Sequence, residues 1–218
     1  AKRLKAIQAR SGKVVVVDPR RTETAEIASE HHFIRPGTDA ALLMAMLNVI
    51  RVEGLMKPNA ALPLKNLDQA LDAINHITPE MAAASTGIAV DEIKPTAIAY
   101  GRIGACIQPF GTIVQWLVQL LNIVTGNLDR VGGTIPTDPV IPITGPGTRP
   151  GHYAQWKSRV SGLPESGGEI PVAALAEEIL TPGDGQIHGL ITSCGNPVLS
   201  TPNGRQLDRA FETLDFML

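Results

Sequence analysis

Cysteine, aromatic side chains and an excess of charge of either sign are all scarce in this sequence. Among its 218 residues there are two cysteines, Cys106 and Cys194, and they lie far apart. They provide no disulfide framework, no CxxC motif and no ligand set for zinc or an iron–sulfur cluster, so we interpret both as small buried apolar residues. Nineteen basic side chains stand against 21 acidic ones, which provides no basic field for nucleic acid or anionic lipid.

Two further absences concern the membrane and the start of the chain. The longest apolar run is too short to span a bilayer, and no secretory signal peptide is visible. The sequence opens with "AKRLKAIQARSG" and has no initial methionine, so we expect it to be internal to a longer protein. We expect a cytoplasmic location, while a targeting signal upstream of residue 1 stays open.

Glycine and proline are abundant in contrast, with 21 and 17 residues, and they divide the chain into short elements. The four valines of residues 14–17 predict a strand that is buried on both faces, as in a parallel sheet covered by helices. Asp18 and Pro19 end this strand, because proline lacks the N–H that a sheet requires. Thr22 is placed to cap a short helix over residues 23–29.

A second strand and a long helix follow. Residues 32–34 predict a strand that Pro36 and Gly37 terminate. Thr38 is placed to cap a helix that continues to about Gly54. This helix is apolar nearly all round, so we expect it to be buried.

A similar order of elements appears in the second half. Residues 96–101 predict a strand, and residues 112–125 predict a helix with a narrow polar stripe (Gln115, Gln119 and Asn122) that Gly126 terminates. Strands predicted over residues 187–193 and 215–218 then enclose a Gly-Asn-Pro loop and a helix.

The repeated strand–loop–helix–strand order predicts an α/β fold. We expect Rossmann-like parallel-sheet halves with helices on both faces. We assign residues 1–95 to the C-terminal part of a first dinucleotide-binding domain, and residues 96–218 to a second such domain that is truncated at its C-terminus.

Three polar side chains follow predicted strand ends: Asp18, Asp39 and Asn196. Ligands bind outside the carboxyl ends of the strands in open parallel sheets. A carboxylate there accepts two hydrogen bonds from ribose hydroxyls, or from N1–H and the 2-amino group of guanine, whereas adenine offers no such pair of donors. Asp18 also fits a simple turn, and Asp39 also fits the first turn of a helix, where the dipole favours it. The two together favour a nucleotide-type ligand.

Other side chains in these loops allow two interpretations each. Arg20 and Arg21 either hold a diphosphate by charge-assisted hydrogen bonds or lie solvated on the shoulder of a helix. His31 and His32 are neighbours in a strand and so face opposite sides, which disfavours a shared metal ion. Gln108 either bonds a base edge or ties its own loop together.

Four motifs occur along the chain in a fixed order. They are "VVVVDPRRTETAEIASEHHFIRPGTDAALLMAM", "YGRIGACIQPFGT", "LLNIVTGNLDRVGG" and "ITSCGNPVLSTPNGRQLDRAFETLDFML". Together they resemble the central part of the catalytic subunit of molybdopterin oxidoreductases of the dimethyl sulfoxide reductase family, which includes formate dehydrogenases and nitrate reductases. The resemblance covers most of the chain and is weakest over residues 55–95.

This resemblance implies a molybdenum or tungsten ion held by two molybdopterin guanine dinucleotides. It implies that the DPR and PGTD loops bind the guanosine end of one dinucleotide, that the GNP loop serves the second, and that the segment from Arg102 to Gln108 lies close to the pterins. The cofactor-binding residues it implies are Asp18, Pro19, Arg20, Thr22, Gly37, Thr38, Asp39, Arg102, Gly104, Gln108, Asn196 and Pro197.

The resemblance also implies features outside these residues. An iron–sulfur cluster and the protein ligand of the metal are expected upstream of residue 1, and a domain that closes over the pterins is expected beyond Leu218. We therefore predict the cofactor-binding middle of a molybdopterin-dependent oxidoreductase, with no catalytic residue or metal ligand here and no activity of this piece alone. The expected partners are the dinucleotide, the remainder of the protein and an electron-transfer subunit. Exposed apolar surface is expected to favour self-association.

Two alternatives stay open. A relative that kept the fold and lost the cofactor, like the homologous subunit of respiratory complex I, would act as a structural module, and the intact loop residues Asp18, Asp39 and Asn196 argue against it. A nicotinamide-dependent dehydrogenase is disfavoured because the sequence lacks the GxGxxG fingerprint.

Overall fold

The structure is a computed structural model that describes residues 2–93, 98–136 and 153–218. The chain separates into two compact units, one ending at Pro136 and one beginning after it. The first unit is mainly helical, and the second combines a β-hairpin with short helices and a pair of parallel strands.

The elements are short because glycine and proline interrupt the chain so often. The first unit contains α1 (Lys2–Ala9), β1 (Val15–Val17), α2 (Glu23–Glu26), β2 (Glu30–His32), α3 (Asp39–Val52), α4 (Leu67–Ile74), α5 (Pro79–Thr86), a 3₁₀ turn (Val90–Glu92), α6 (Ile103–Cys106) and α7 (Gly111–Val124). The second unit contains β3 (Tyr153–Lys157), β4 (Pro164–Ser166), a 3₁₀ turn (Val172–Ala174), α8 (Leu175–Leu180), β5 (Gly189–Leu190), α9 (Pro197–Ser200), α10 (Gly204–Phe211) and β6 (Phe216–Met217).

The core of the first unit lies between its two longest helices, α3 and α7. Leu47 and Ile50 of α3 and Leu117 and Leu121 of α7 are almost fully buried there, and α5 packs on the other side of α3. The expectation of a long buried helix after Thr38 is therefore confirmed. The predicted helix over residues 112–125 is also confirmed, since α7 ends one residue earlier, and Gly126 adopts the left-handed conformation (φ +73°) expected of a helix stop.

Strands β1 and β2 form a parallel pair through the crossover helix α2, in which Val15, Val16 and Val17 face Glu30, His31 and His32 in turn. The predicted strand at the valines is confirmed, but its predicted burial on both faces is wrong. Val15 and Val17 are 45% and 40% exposed. Only β2 flanks β1 among the described residues, and two strands are too narrow a sheet for helices to cover on both faces.

The second unit contains the other parallel pair. Gly189 and Leu190 of β5 face Phe216 and Met217 of β6, and α9 and α10 lie between these strands in the sequence. Helices α8 and α10 pack through a small core of buried apolar residues: Ala176, Ile179, Leu207 and Ala210. Both predicted strand–loop–helix–strand segments therefore form parallel pairs, which confirms the α/β class. The domain boundary at residue 95 stays a prediction.

An antiparallel hairpin of β3 and β4 precedes this pair. Glu165 of β4 is fully buried, and its carboxylate accepts the backbone N–H groups of Gln155 and Gly168. Arg159 of the hairpin pairs with Glu178 of α8 at 3.3 Å. The Glu165 bonds hold the hairpin together, and the Arg159–Glu178 pair attaches it to α8.

Asn122 is a fully buried amide in α7. Its Oδ1 accepts the N–H of Ala99 at 2.9 Å, and its Nδ2 donates to the carbonyl of Ala99 at 2.8 Å. These two bonds position the backbone that leads into α6. The polar stripe on α7 thus consists of a buried Asn122, a half-buried Gln115 and an exposed Gln119.

Within the described ranges, no helix has both the length and the apolar character needed to cross a membrane.

Replacing the buried amide tests its structural role. We expect Asn122→Leu to lower the free energy of unfolding by about 1–3 kcal/mol, because the N–H and carbonyl of Ala99 would lose their partner. Equilibrium urea unfolding measures this difference. Gln119→Leu on the exposed face of α7 is the matched control, and equal effects of the two substitutions would contradict the role of Asn122.

Glu30 gives a pH prediction for the β1–β2 pair. Its carboxylate pairs with Lys13 and lies 3.7 Å from His32 Nε2, and the hydrogen bond from Lys13 is the main cause that lowers the pKa of Glu30. A carboxyl whose pKa is lowered in the folded state contributes stability above its unfolded pKa and loses it as the pH falls through the folded value. We therefore expect Glu30→Gln to be less stable than the wild type near neutral pH and equally stable in acid.

Thermal unfolding as a function of pH measures this difference. Glu53→Gln removes an exposed carboxylate that has no ion pair among the described residues, so it controls for the change in net charge. A Glu30→Gln difference that persists unchanged into acid would contradict the ion pair.

Candidate cofactor-binding site

Asp18 lies directly after β1, at the carboxyl end of the strand. Its N–H donates to the carbonyl of His32 at 3.2 Å, and its Oδ1 accepts the N–H of Arg20 at 2.7 Å. The second bond forms an Asx turn, so Asp18 does have the turn role that the sequence allows. Its Oδ2 has no hydrogen-bond partner among the described residues, and this oxygen is available to a ligand.

The residues after Asp18 turn the chain into α2. Pro19 and Arg20 are exposed, and the Arg20 guanidinium forms no ion pair in the described part of the chain. Thr22 caps α2, since its hydroxyl oxygen accepts the N–H of Ala25 at 3.3 Å. The predicted cap is confirmed, although α2 ends at Glu26 and is shorter than predicted.

The PGTD loop lies between β2 and α3. Gly37 has a φ of +81°, which glycine adopts without strain. Thr38 occupies the position before the helix, but its hydroxyl donates to the carbonyl of Arg35 at 2.7 Å. The predicted side-chain cap by Thr38 is therefore wrong, because this bond directs the hydroxyl away from the helix.

Asp39 is the first residue of α3 and is half-buried. Neither of its carboxylate oxygens has a hydrogen-bond partner among the residues that the structure describes. The helix dipole favours its negative charge, so the first-turn interpretation of Asp39 is supported. Both oxygens remain available to hydrogen-bond donors.

Parallel pairing places these two loops at the same edge of the β1–β2 pair. Val17 faces His32 in the register, so Asp18 and the Gly37–Asp39 loop both follow carboxyl ends of paired strands. Gly37 also lies near the connection between α6 and α7, because a Cβ built on it would be 3.6 Å from Cδ of Pro109. The structure thus places the DPR and PGTD loops at one edge of the strand pair, and it places the PGTD loop beside the connection between α6 and α7.

The segment from Arg102 to Gln108 is the short helix α6 with its flanking residues, not an extended glycine-rich loop. Arg102 and Gly104 are exposed, and the space in front of Gly104 is open. Gln108 Nε2 donates to the carbonyl of Gly104 at 3.3 Å, so Gln108 ties its own loop together. The predicted strand at residues 96–101 does not form over residues 98–101, and residues 96 and 97 lie outside the described ranges.

The amide oxygen of Gln108 provides a test of whether a ligand fits this segment. Oε1 is buried and has no hydrogen-bond partner among the described residues. A buried acceptor without a donor is costly, so it calls for an N–H or O–H from another group. An organic cofactor with such donors, as the pterin ring system has, fits this position.

A cavity of about 440 Å³ opens between α7 and the segment that precedes α6. Its walls include Tyr100, Gly101, Gln115 and Gln119. A Cβ on Gly101 would meet the Gln115 amide at 2.6 Å, so a larger residue there would displace this flexible side chain. None of the residues that the sequence singled out for the cofactor lines this cavity.

Asn196 and Pro197 belong to the second unit. Asn196 caps α9, since its Oδ1 accepts the N–H of Leu199 at 3.3 Å, and Pro197 occupies the first helical position. Asn196 is exposed, so its amide N–H groups remain accessible to a ligand.

The cysteines differ from expectation, and the two adjacent histidines form no metal-binding cluster with other described residues. Cys106 and Cys194 are both exposed, so their predicted burial is wrong. Cys106 is exposed at the end of α6, and its Sγ accepts a hydrogen bond from Gln115 Nε2 of α7 at 3.2 Å. His31 and His32 are adjacent in β2, and no cluster of three or more metal-binding side chains occurs in the part of the chain that the structure describes.

Two side chains singled out in the sequence, Asn122 and His31, have structural roles that the sequence did not predict. Asn122 has its amide in the core, and His31 Nε2 lies 3.1 Å from the carbonyl oxygen of Asp18. The polar position of Asn122 in an otherwise apolar helix is a signal for the first. No local pattern points to the second, because residues 18 and 31 meet only through the β1–β2 pairing.

Known proteins with similar sequences align with all or nearly all of this chain. The alpha subunit of the F420-dependent formate dehydrogenase of Methanocaldococcus jannaschii is 28% identical, with 100% of this chain and 35% of that protein aligned. The catalytic subunit of the assimilatory nitrate reductase of Bacillus subtilis is 26% identical, with 94% of this chain and 32% of that protein aligned. The chain thus spans about a third of the length of these relatives.

A solved structure is similar as well. Acetylene hydratase from Pelobacter acetylenicus superimposes with a TM-score of 0.51 and 25% sequence identity, over 57% of this chain and 18% of that one. The family model for molybdopterin oxidoreductases matches residues 1–218. From this match over its full length, the chain belongs to the molybdopterin oxidoreductase family.

Proposed function

We propose that this chain binds the guanosine ends of a bis-molybdopterin guanine dinucleotide within a molybdenum- or tungsten-dependent oxidoreductase. The observation that carries the proposal is the parallel β1–β2 pair, which presents Asp18 and the Gly37–Asp39 loop at one edge. Both loops have carboxylate oxygens without partners among the described residues, and ligands bind at such strand ends.

The two carboxylates suit different parts of a guanosine. The guanine edge presents N1–H and the 2-amino group side by side, so it requires both oxygens of one carboxylate. Asp39 has both oxygens available, whereas Asp18 has one oxygen in its turn with Arg20. We therefore assign the base edge to Asp39 and a ribose hydroxyl to Asp18, with Thr22 and Thr38 beside them.

Other residues are assigned to the remaining parts of the cofactor. The exposed Arg20 is placed to pair with the diphosphate, while Arg102, Gly104 and Gln108 are assigned to the pterins. Asn196 and Pro197 are assigned to the second dinucleotide. When bound, the metal and its pterins supply the two-electron chemistry of the family. This chain binds and orients them, and we propose no catalytic residue or metal ligand in it and no turnover by it alone.

The remainder of a longer protein is the first proposed partner. The relatives are about three times as long as this chain, and those named as alpha or catalytic subunits suggest an electron-transfer subunit as a second partner. An iron–sulfur cluster elsewhere in such a protein and a cytoplasmic location complete the proposal.

Loss of the Asp39 carboxylate tests the proposal. We expect Asp39→Ala in the full-length protein to retain guanine dinucleotide about tenfold less well, because a pair of charge-assisted hydrogen bonds is removed. Asp39→Asn is expected to lower retention of the dinucleotide as well, since an amide offers one acceptor to the two donors of guanine. The GMP released by acid hydrolysis and the molybdenum or tungsten per protein measure retention.

Asp68→Ala is the matched control, because Asp68 is an exposed acidic residue in the first turn of α4. Unchanged retention in both Asp39 variants would contradict the assignment of the base edge. A wild-type protein that carries neither pterin nor metal would instead indicate a structural module that has lost the cofactor.

Exposed apolar side chains support the proposed contact with the remainder of the protein. Ile103 begins α6 and Ile107 directly follows its last residue, and the two are 69% and 76% exposed. Tyr100 and Phe110 flank them with similar exposure. We expect the isolated chain to self-associate through them. Light scattering after size exclusion measures this, and Ile103→Lys with Ile107→Lys should reduce it.

Val131→Lys is the control, since Val131 is a single side chain at 99% exposure. An isolated chain that stays monomeric at high concentration would overturn the expectation.

A further inference from the structure

Two consecutive residues of β2 hold the backbone of Asp18. His32 accepts the Asp18 N–H through its carbonyl at 3.2 Å. The His31 side chain reaches the other side of the same residue, with its Nε2 at 3.1 Å from the Asp18 carbonyl oxygen. The backbone of the residue that carries the proposed ribose contact is thus bonded on both sides.

The His31 contact has special weight because of Pro19. The peptide unit between Asp18 and Pro19 has no N–H, so its carbonyl is the only hydrogen-bonding group by which it can be oriented. Among the described residues, His31 is the partner of that carbonyl. The orientation of this peptide affects the backbone conformation at Asp18, and with it the direction in which the Asp18 side chain leaves the backbone.

The geometry also indicates which ring nitrogen donates. A carbonyl oxygen can only accept, so Nε2 must carry the proton. Nδ1 is buried and has no hydrogen-bond partner within the described part of the chain. Phe33 packs against the ring with centroids 4.3 Å apart and an interplanar angle of 60°, so the ring is held in place by contact on one side and by the Asp18 bond on the other.

We propose that His31 is a positioning residue for the nucleotide, acting through Asp18. The ring orients the Asp18–Pro19 peptide, the Arg20 N–H holds Oδ1 of Asp18 at 2.7 Å, and Oδ2 is left directed to the ligand. This inference rests on the proposed function, since it concerns how the same loop is arranged for a guanosine hydroxyl.

Substitutions of different side-chain length at residue 31 distinguish the positioning of Asp18 from general support of the strand pair. A glutamine can place its amide nitrogen where Nε2 of histidine lies, whereas the shorter asparagine reaches only to the position of Nδ1. We expect His31→Leu in the cofactor-loaded full-length protein to lose guanine dinucleotide about three to ten times faster, which is the effect of one hydrogen bond. His31→Gln should restore the wild-type rate to within about twofold, and His31→Asn should not.

A double variant tests whether His31 acts through Asp18. If it does, Asp18→Ala combined with His31→Leu should release the nucleotide no faster than Asp18→Ala alone, because the group that His31 positions is already absent. His32→Leu is the control on the opposite face of β2. It removes the side-chain contacts with Glu30 and Glu92 but keeps the backbone carbonyl that accepts the Asp18 N–H. Release is measured as GMP equivalents in the filtrate over time, below the unfolding temperature of each variant.

The outcomes separate this inference from the proposed function. A wild-type protein without guanine dinucleotide overturns the proposed function. If the wild type is loaded but His31→Leu releases the nucleotide at the wild-type rate, only the role of His31 is overturned. The same holds if the effects of Asp18→Ala and His31→Leu are additive in the double variant. If His31→Leu does not fold, the Gln and Asn variants decide, and equal release from these two overturns the inference.

Discussion

The parallel register between β1 and β2 is the constraint on which the rest of the site depends. Three residue pairs define it, and a shift by one residue would turn every side chain of β2 to the opposite face. The backbone N–H of Asp18 donates to the carbonyl of His32, which continues the strand pairing one residue beyond β1. Arg35 then attaches the second loop to α5 through its N–H and the carbonyl of Thr86 at 2.9 Å. Both polar loops are thereby held at one edge.

The helical core behind this edge determines where the loops end. Asp39 begins α3, whose inner face is almost fully buried, so the core fixes the backbone from which the Asp39 carboxylate extends. On the α7 side, a Cβ at Gly111 would lie 2.0 Å from the carbonyl oxygen of Cys106, and the Asn122 amide holds Ala99. The close contact at Gly111 and the bonds to Ala99, just before α6, together fix the position of α6 relative to α7.

Features that depend on neighbouring residues could be predicted from the sequence. The Thr22 cap, the helix stop at Gly126 and the strand at the valines are local patterns, and they occur in the structure. The exposure of Val15 and of Cys106 was not predictable in this way, because it depends on which faces other elements cover. The same limit applies within the site, where strand ends indicate which residues line the edge but not which oxygens are already bonded.

Charge explains why acidic and basic side chains occur together in the first loop. Under the proposed function, two carboxylates lie near an anionic diphosphate, and like charges at short range repel. Arg20 and Arg21 are exposed beside Asp18 and form no ion pairs with described residues, so their charges are available to the diphosphate. Asp18 and Asp39 are then left to recognise the neutral sugar and base, whose donors a carboxylate accepts and an arginine cannot. The proposed function thus assigns selection of guanosine and neutralisation of the diphosphate to different neighbouring side chains.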